Sequence, residues 1–176
     1  MNRSPLILFT AIAVAGFSAA SSASAETAKA AIRGTSLHPE LQGEVTLTDT
    51  DTGLMIQGTL SGAPAGLHGF HIHEFGLCND DGKAAGSHYN PKGTPHGNVV
   101  TDGQEKAHVG DLGNLTVRED GTATWLYTLP GLTLTKGANT VAGRALIVHE
   151  KPDDFGQPTG NAGGRIGCGA ILVSGK

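Results

Sequence analysis

The chain has little positive charge to offer a polyanion. Twelve lysines and arginines stand against 16 acidic residues, a net charge of −4, and that balance argues against nucleic acid or an anionic membrane as the main partner. Long apolar runs are equally scarce. One uncharged stretch, residues 6–17, is followed by nothing that approaches transmembrane length. It lies between Arg3 and Ala23-Ser24-Ala25, so residues 1–25 read as a secretory signal peptide. The run is too short to span a bilayer, and no basic stop-transfer flank follows it. Cleavage after Ala25 leaves residues 26–176 as one soluble domain. A prokaryotic-looking leader of this kind implies export to the periplasm. A domain of this size buries roughly 68–70% of the surface its unfolded chain exposes.

Cysteine is limited to Cys78 and Cys168. An even count in an exported chain reads as a disulfide. Closing a loop of that length is worth roughly 4–5 kcal/mol in the chain-entropy account. Helix-period stretches, internal repeats and low-complexity tracts are also missing from the mature part. The chain has instead short alternating runs at 30–34, 44–48, 54–60, 67–73, 113–117, 122–129, 142–149 and 166–173, punctuated by many of its 27 glycines. Residues 49–53 and 119–121 read as hairpin connections. About eight strands with glycine-rich turns predict an all-β sandwich or flattened barrel. Residues 74–107 and 151–164 do not fit the strand rhythm. Loops beyond about 12–15 residues in a compact domain are usually functional or disordered, and these two hold most of the unusual residues.

The segment GFHIHEFG raises the question of chemistry. Side chains alternate along a strand, so His71 and His73 share one face while Phe70 and Ile72 share the other. Two residues of rise separate the imidazoles by roughly 6.5–7 Å, from which both can lean onto one metal. Two solvent-facing polar residues on a half-buried strand would give the same pattern. The other histidines argue for the metal. His88, His96, His108 and His149, together with Asp111, lie on loops or strand ends, where ligands converge readily. Imidazole-only sets suit copper(II), and three imidazoles with a carboxylate suit tetrahedral zinc.

GFHIHEFG, AGSHYNP, HVGDLGN, IVHEKPDD and GNAGGRIGCG, in that order, resemble the signature segments of the copper/zinc superoxide dismutases, and of their bacterial exported type. The resemblance covers the mature chain from Ala30 onward. It implies an eight-stranded Greek-key barrel or sandwich, immunoglobulin-like, with two long functional loops. It also implies dismutation of superoxide to dioxygen and hydrogen peroxide, with one copper and one zinc per chain. Copper would be held by His71, His73, His88 and His149, and zinc by His88, His96, His108 and Asp111, with His88 bridging the ions and supplying a proton. By the same resemblance Asp153 is the carboxylate linking a copper-ligand and a zinc-ligand histidine. Cys78 and Cys168 pair, Arg165 stands beside the open copper position, and Thr159 lines the substrate channel. His68 is implied to be a structural histidine bonded to backbone, whereas His38 reads as a surface loop residue.

The chain also departs from the eukaryotic members. Its second long loop is shorter, and Pro158 stands where those members usually carry lysine. Superoxide steering then rests on Arg165, with Lys151 and Lys92 as further candidates. The segment 97–107 is slightly longer than usual. Monomer and homodimer both fit the sequence. A silent copper carrier, a zinc hydrolase and a purely structural sandwich are the competing readings. The first would have lost a copper ligand or Arg165, and the second would not need seven ligands arranged for two ions.

Overall fold

A computed structural model of the protein describes residues 25–174, so nearly all of the expected signal peptide, 1–25, lies outside the described residues. Alternating apolar residues build the strands. In β1 (Thr27–Gly34) Ala28, Ala30 and Ile32 are buried, and in β2 (Gln42–Thr50) Val45 and Leu47 are. β3 (Gly53–Ser61) buries Leu54, Ile56 and Leu60. β4 (Gly66–His73) is followed by β5 (Asp111–Val117), β6 (Ala123–Leu129), β7 (Ala145–His149), β8 (Arg165–Ala170) and the short β9 (Leu172–Val173). All pairings among these strands are antiparallel, in the order β5-β4-β7-β8-β1-β2-β3-β6, and β9 pairs only with β1. β3 pairs with β6 and β4 with β7, so the connections β3–β4 and β6–β7 pass over neighbouring strands, a Greek-key path. The result is the expected all-β, nearly closed barrel. Its seam lies between β5 and β6, which are joined by the turn that Arg118 and Thr122 close.

Two details differ from the sequence reading. The run expected over 166–173 is two strands, because Ile171 turns fully inward and exchanges hydrogen bonds with Gly143 and Arg144 instead of β1. The run expected over 142–149 begins at Ala145, since Ala142 and Gly143 belong to the turn that meets Ile171. The first long loop also contains a 3-10 turn over Lys83–Ala85 and one α-helical turn, α1 (Val99–Asp102). Asn98 caps it by accepting from the Val100 amide.

The barrel has two differently used faces on β4 and β7. Phe70 and Ile72 are fully buried in the core beside their partners Val148 and Leu146, and Phe70 meets the Trp125 ring edge-on at 5.2 Å. His71 and His73 take the opposite parity, paired with Ile147 and Ala145. That outer face is not exposed to water. Ala145 and Ile147 pack with Ala85 and Cys168 in a small second cluster, so the long loop lies over the wall of the barrel. The Cys78–Cys168 disulfide, with a Cα–Cα distance of 5.7 Å, anchors the loop there.

Candidate metal centre

The covered outer wall collects the histidines. β4 supplies His71 and His73, the end of β7 supplies His149, the first long loop supplies His88, His96 and His108, and β5 opens on Asp111. All seven are buried, at 7% relative exposure or less. His71, His73, His88 and His149 form one group and His88, His96, His108 and Asp111 a second. In each, the potential ligand atoms lie within 4.8 Å of one another. His88 belongs to both, its ring centroid 4.0 Å from that of His71 and 5.3 Å from that of His96. Its Nδ1 lies 2.8 Å from Asp111 Oδ1, which leaves Nε2 as the atom it can offer to the other group.

Hydrogen bonds decide which ring nitrogen each histidine offers. His73 donates from Nδ1 to Gly86 O at 2.9 Å, leaving Nε2, which lies 3.4 Å from His149 Nε2. His71 Nε2 donates to Asp153 Oδ2 at 2.8 Å, and His96 Nε2 donates to Asp153 Oδ1 at 2.9 Å. Asp153 therefore joins one histidine of each group, and carboxylates so placed hold ring orientation and tautomer. Gly160 faces this carboxylate so closely that a Cβ there would sit 1.9 Å from Asp153 Oδ1, and its φ of +78° is one that side chains rarely adopt.

The remaining nitrogens test whether metals fit. His71 Nδ1 and His96 Nδ1 are buried without a hydrogen-bond partner. His96 Nδ1 is only 2.8 Å from Asp111 Oδ2 but lacks hydrogen-bond geometry toward it. A buried polar atom without a partner is costly. An ion in each group would give both nitrogens a partner, so the donor set fits.

Electrostatics separates the two groups. Burial lowers the pKa of His71 to about 4 against its bond to Asp153, that of His73 to about 2, and that of His149 to about 3. These imidazoles are neutral at pH 7, the form that binds a metal. The second group is dominated by its one carboxylate, Asp111. Burial pushes Asp111 up, but His108, His88 and His96 outweigh it and hold the carboxyl well below the usual range. Burial opposes charge on His96 too, yet Asp111 and Asp153 raise its pKa to about 9. The first group thus brings three neutral imidazoles, and the second is built around a carboxylate held ionised.

A cleft of about 320 Å³ opens onto the first group, lined by His73, His88, His149, Thr159, Asn161 and Arg165 among others. Arg165 donates to the carbonyls of Gly82 and Gly86, the latter at 2.6 Å. Gly86 O thus receives both Arg165 and His73. Among the described residues, a groove of about 420 Å³ bounded by Arg33, Glu44 and Arg118 contains no metal-ligating cluster. Lys92 is paired with Glu105 at 2.6 Å and does not line the cleft. The stem of Lys151 lies against Gly163, which does. His68 Nδ1 lies 2.8 Å from His149 O and its Nε2 lies 2.9 Å from Pro64 O. His38 sits apart, 4.0 Å from Glu40.

Two supporting residues were missed in the sequence. The Asn114 amide pairs with both backbone groups of Asp153, at 2.7 and 2.9 Å. Gln157 does the same for His96, at 3.0 and 2.9 Å. Asn114 stands three positions past Asp111 in the GDLGN segment, which was a signal. Gln157 is separated from His96 by 61 positions, and only the fold brings them together.

A family model described as copper/zinc superoxide dismutase matches residues 41–171. Among solved structures, the crystal structure of a protein described as the clock protein EA4 aligns with a TM-score of 0.75 and 33% identity. The alignment covers 88% of this chain and 99% of that one.

Proposed function

The chain belongs to the copper/zinc superoxide dismutase family, and from that premise we propose the residues that carry its dismutation of superoxide and the place where it acts. Copper would be held by His71, His73, His88 and His149 and zinc by His88, His96, His108 and Asp111, with the His88 ring common to both sets. The observation that carries this assignment is the pair of buried four-residue groups that share His88.

When bound, copper supplies the change of oxidation state that converts two superoxide anions and two protons to dioxygen and hydrogen peroxide, while zinc, with its filled d shell, supplies charge and structure only. The chain's own residues do the rest. The neutral rings of His71, His73 and His149 bind without having to shed protons at pH 7. Asp153 orients His71 and His96 together. His88 lines the cleft, and when its Nε2 is not bound to copper it is placed to hold a proton there and give it to the reduced substrate. Arg165, at the cleft wall, attracts and orients the anion, a local field that overrides the negative net charge of the chain. Thr159 lines the same cleft.

We place the enzyme in the periplasm, where it protects against superoxide, because of the leader over residues 1–25. Fractionation of producing cells, with a mature amino terminus at Glu26, checks this. For the activity, the protein is reconstituted with both ions, its metals are counted, and superoxide consumption is followed. One copper and one zinc per chain with rapid consumption is the expected result. Stoichiometric copper with no consumption would overturn the enzyme reading and leave a copper carrier.

A further inference from the structure

Arg144 stands outside both metal groups and outside the cleft, yet it touches the neighbours of two copper ligands. Its Nη1 donates to Glu74 O at 2.9 Å, and Glu74 directly follows His73. Its guanidinium carbon lies 3.4 Å from the ring centroid of Tyr89, which directly follows His88. Its Nε donates to Thr140 O at 2.7 Å, fixing the side chain to the turn that leads into β7. β7 in turn ends on His149. Among the described residues no carboxylate comes within 4.0 Å of this guanidinium. Its charge faces two carbonyl dipoles and an aromatic face instead, contacts that constrain its orientation.

The two segments it spans need such a tie. His73 ends β4 and His88 lies far along the first long loop, and the backbones meet there as one isolated antiparallel bridge. Glu74 N donates to Ser87 O at 3.0 Å and Tyr89 N to Ile72 O at 2.8 Å on either side of it. The Glu74 carboxylate adds a bond from the Ser87 amide. The bridge is a short ladder, to which Arg144 adds a side-chain tie from outside. The Tyr89 ring is itself pinned, 5% exposed and with its hydroxyl 3.4 Å from Ala138 O.

We propose that Arg144 is a positioning residue for the copper group: its guanidinium sets the separation of the His73 and His88 segments and ties both to the strand that carries His149. This rests on the assignment of copper to His71, His73, His88 and His149. Because His88 is shared, the zinc group responds only through that ring, and His96, His108 and Asp111 keep their own contacts.

The test compares Arg144→Met and Arg144→Lys with the unmodified protein, all loaded with copper and zinc. Three quantities are followed: the copper(II) electron paramagnetic resonance spectrum, the rate of copper loss to a chelator, and the melting temperature. Arg144→Met should alter the spectrum and lose copper about tenfold faster, the lower end for residues that orient metal ligands, with zinc released less readily than copper. Arg144→Lys keeps a cation near the ring but cannot span both carbonyls, so it should fall between the two. A lower melting temperature with an unchanged spectrum and unchanged copper loss would make Arg144 merely structural and overturn the proposal. Should Arg144→Met fail to fold, Arg144→Lys is judged alone by the same criteria. If the unmodified protein takes up no copper, the functional reading itself falls. Copper uptake there with no change in either variant overturns this proposal alone.

Discussion

At the scale of single residues, Arg165 does more than a charge-steering picture alone would show. It lines the cleft, and it also bonds the carbonyls of Gly82 and Gly86, so it braces the loop whose Gly86 O fixes the His73 ring. Arg165→Ala should therefore slow superoxide consumption by about tenfold, the low end of what local fields contribute, and weaken its dependence on ionic strength, with copper content unchanged. Arg165→Lys should restore part of the rate, since it keeps the charge but not the fork that reaches both carbonyls. Rate against salt, with copper counted in each variant, checks both, and an unchanged rate at low ionic strength removes Arg165 from steering. The histidine residues were legible at this scale because their spacing is local. His71 and His73 declare a shared face by parity alone, and the fold places them on the face opposite Phe70 and Ile72.

At the scale of elements, the two long loops hold the site and also hold each other. The loop after β7 returns Asp153 to His71 and His96, and Gln157 from the same loop grips the His96 backbone. Gln157→Ala removes two hydrogen bonds of about 1 kcal/mol each that lie outside the barrel. The barrel strands should then keep their protection from hydrogen exchange, while amides near His96 and within 153–161 exchange faster and zinc is lost more readily to a chelator. Exchange resolved by segment measures this, and uniform loosening of the whole molecule would contradict it. The sequence marked these loops by length but not their mutual contacts. A carboxamide that bonds a backbone 61 positions away leaves no periodic trace. The split at Ile171 was hidden for a similar reason. An apolar run has the same pattern whether its residues pair with β1 or turn in to meet Gly143.

At the scale of the whole molecule, stability and metal binding share one set of protons. With the metals chelated away, His71, His149 and His73 hold pKa values of about 4, 3 and 2 in the folded chain, against roughly 6.5 when unfolded. Below pH 6.5 the unfolded chain takes up protons that the folded chain refuses. Stability is therefore lost as pH falls from 6.5 toward 4, at up to about 4 kcal/mol per pH unit for three such groups. His96 has the opposite sign. Its pKa, raised to about 9, makes its contribution full below pH 6.5 and lost as pH rises toward 9. The chelated protein should thus be most stable near pH 6.5, and denaturant titrations from pH 4 to 9 would show it. Stability that increased between pH 6.5 and 4 would contradict the burial of neutral histidines. With both metals bound the acid slope should appear at lower pH, because the ions compete with protons for the same nitrogens.

Local physics wrote one part of this protein into its order of residues. Strand parity set Phe70 and Ile72 against His71 and His73, glycine marked the turns, and the types and order of the histidines defined the chemistry and the family resemblance. Tertiary structure alone decided what depends on distant groups meeting. It wrapped the first long loop over the outer wall of β4 and β7 so that a nominally exposed face became a dry one, which is what keeps those imidazoles neutral. It brought together the two clusters that the resemblance had joined at His88, and it set Asn114, Gln157 and Arg144 behind them. Each of these contacts closes a long stretch of chain, and its energy appears only once the barrel has met the entropy of bringing the ends together. No window of sequence short enough to show a pattern contains both partners.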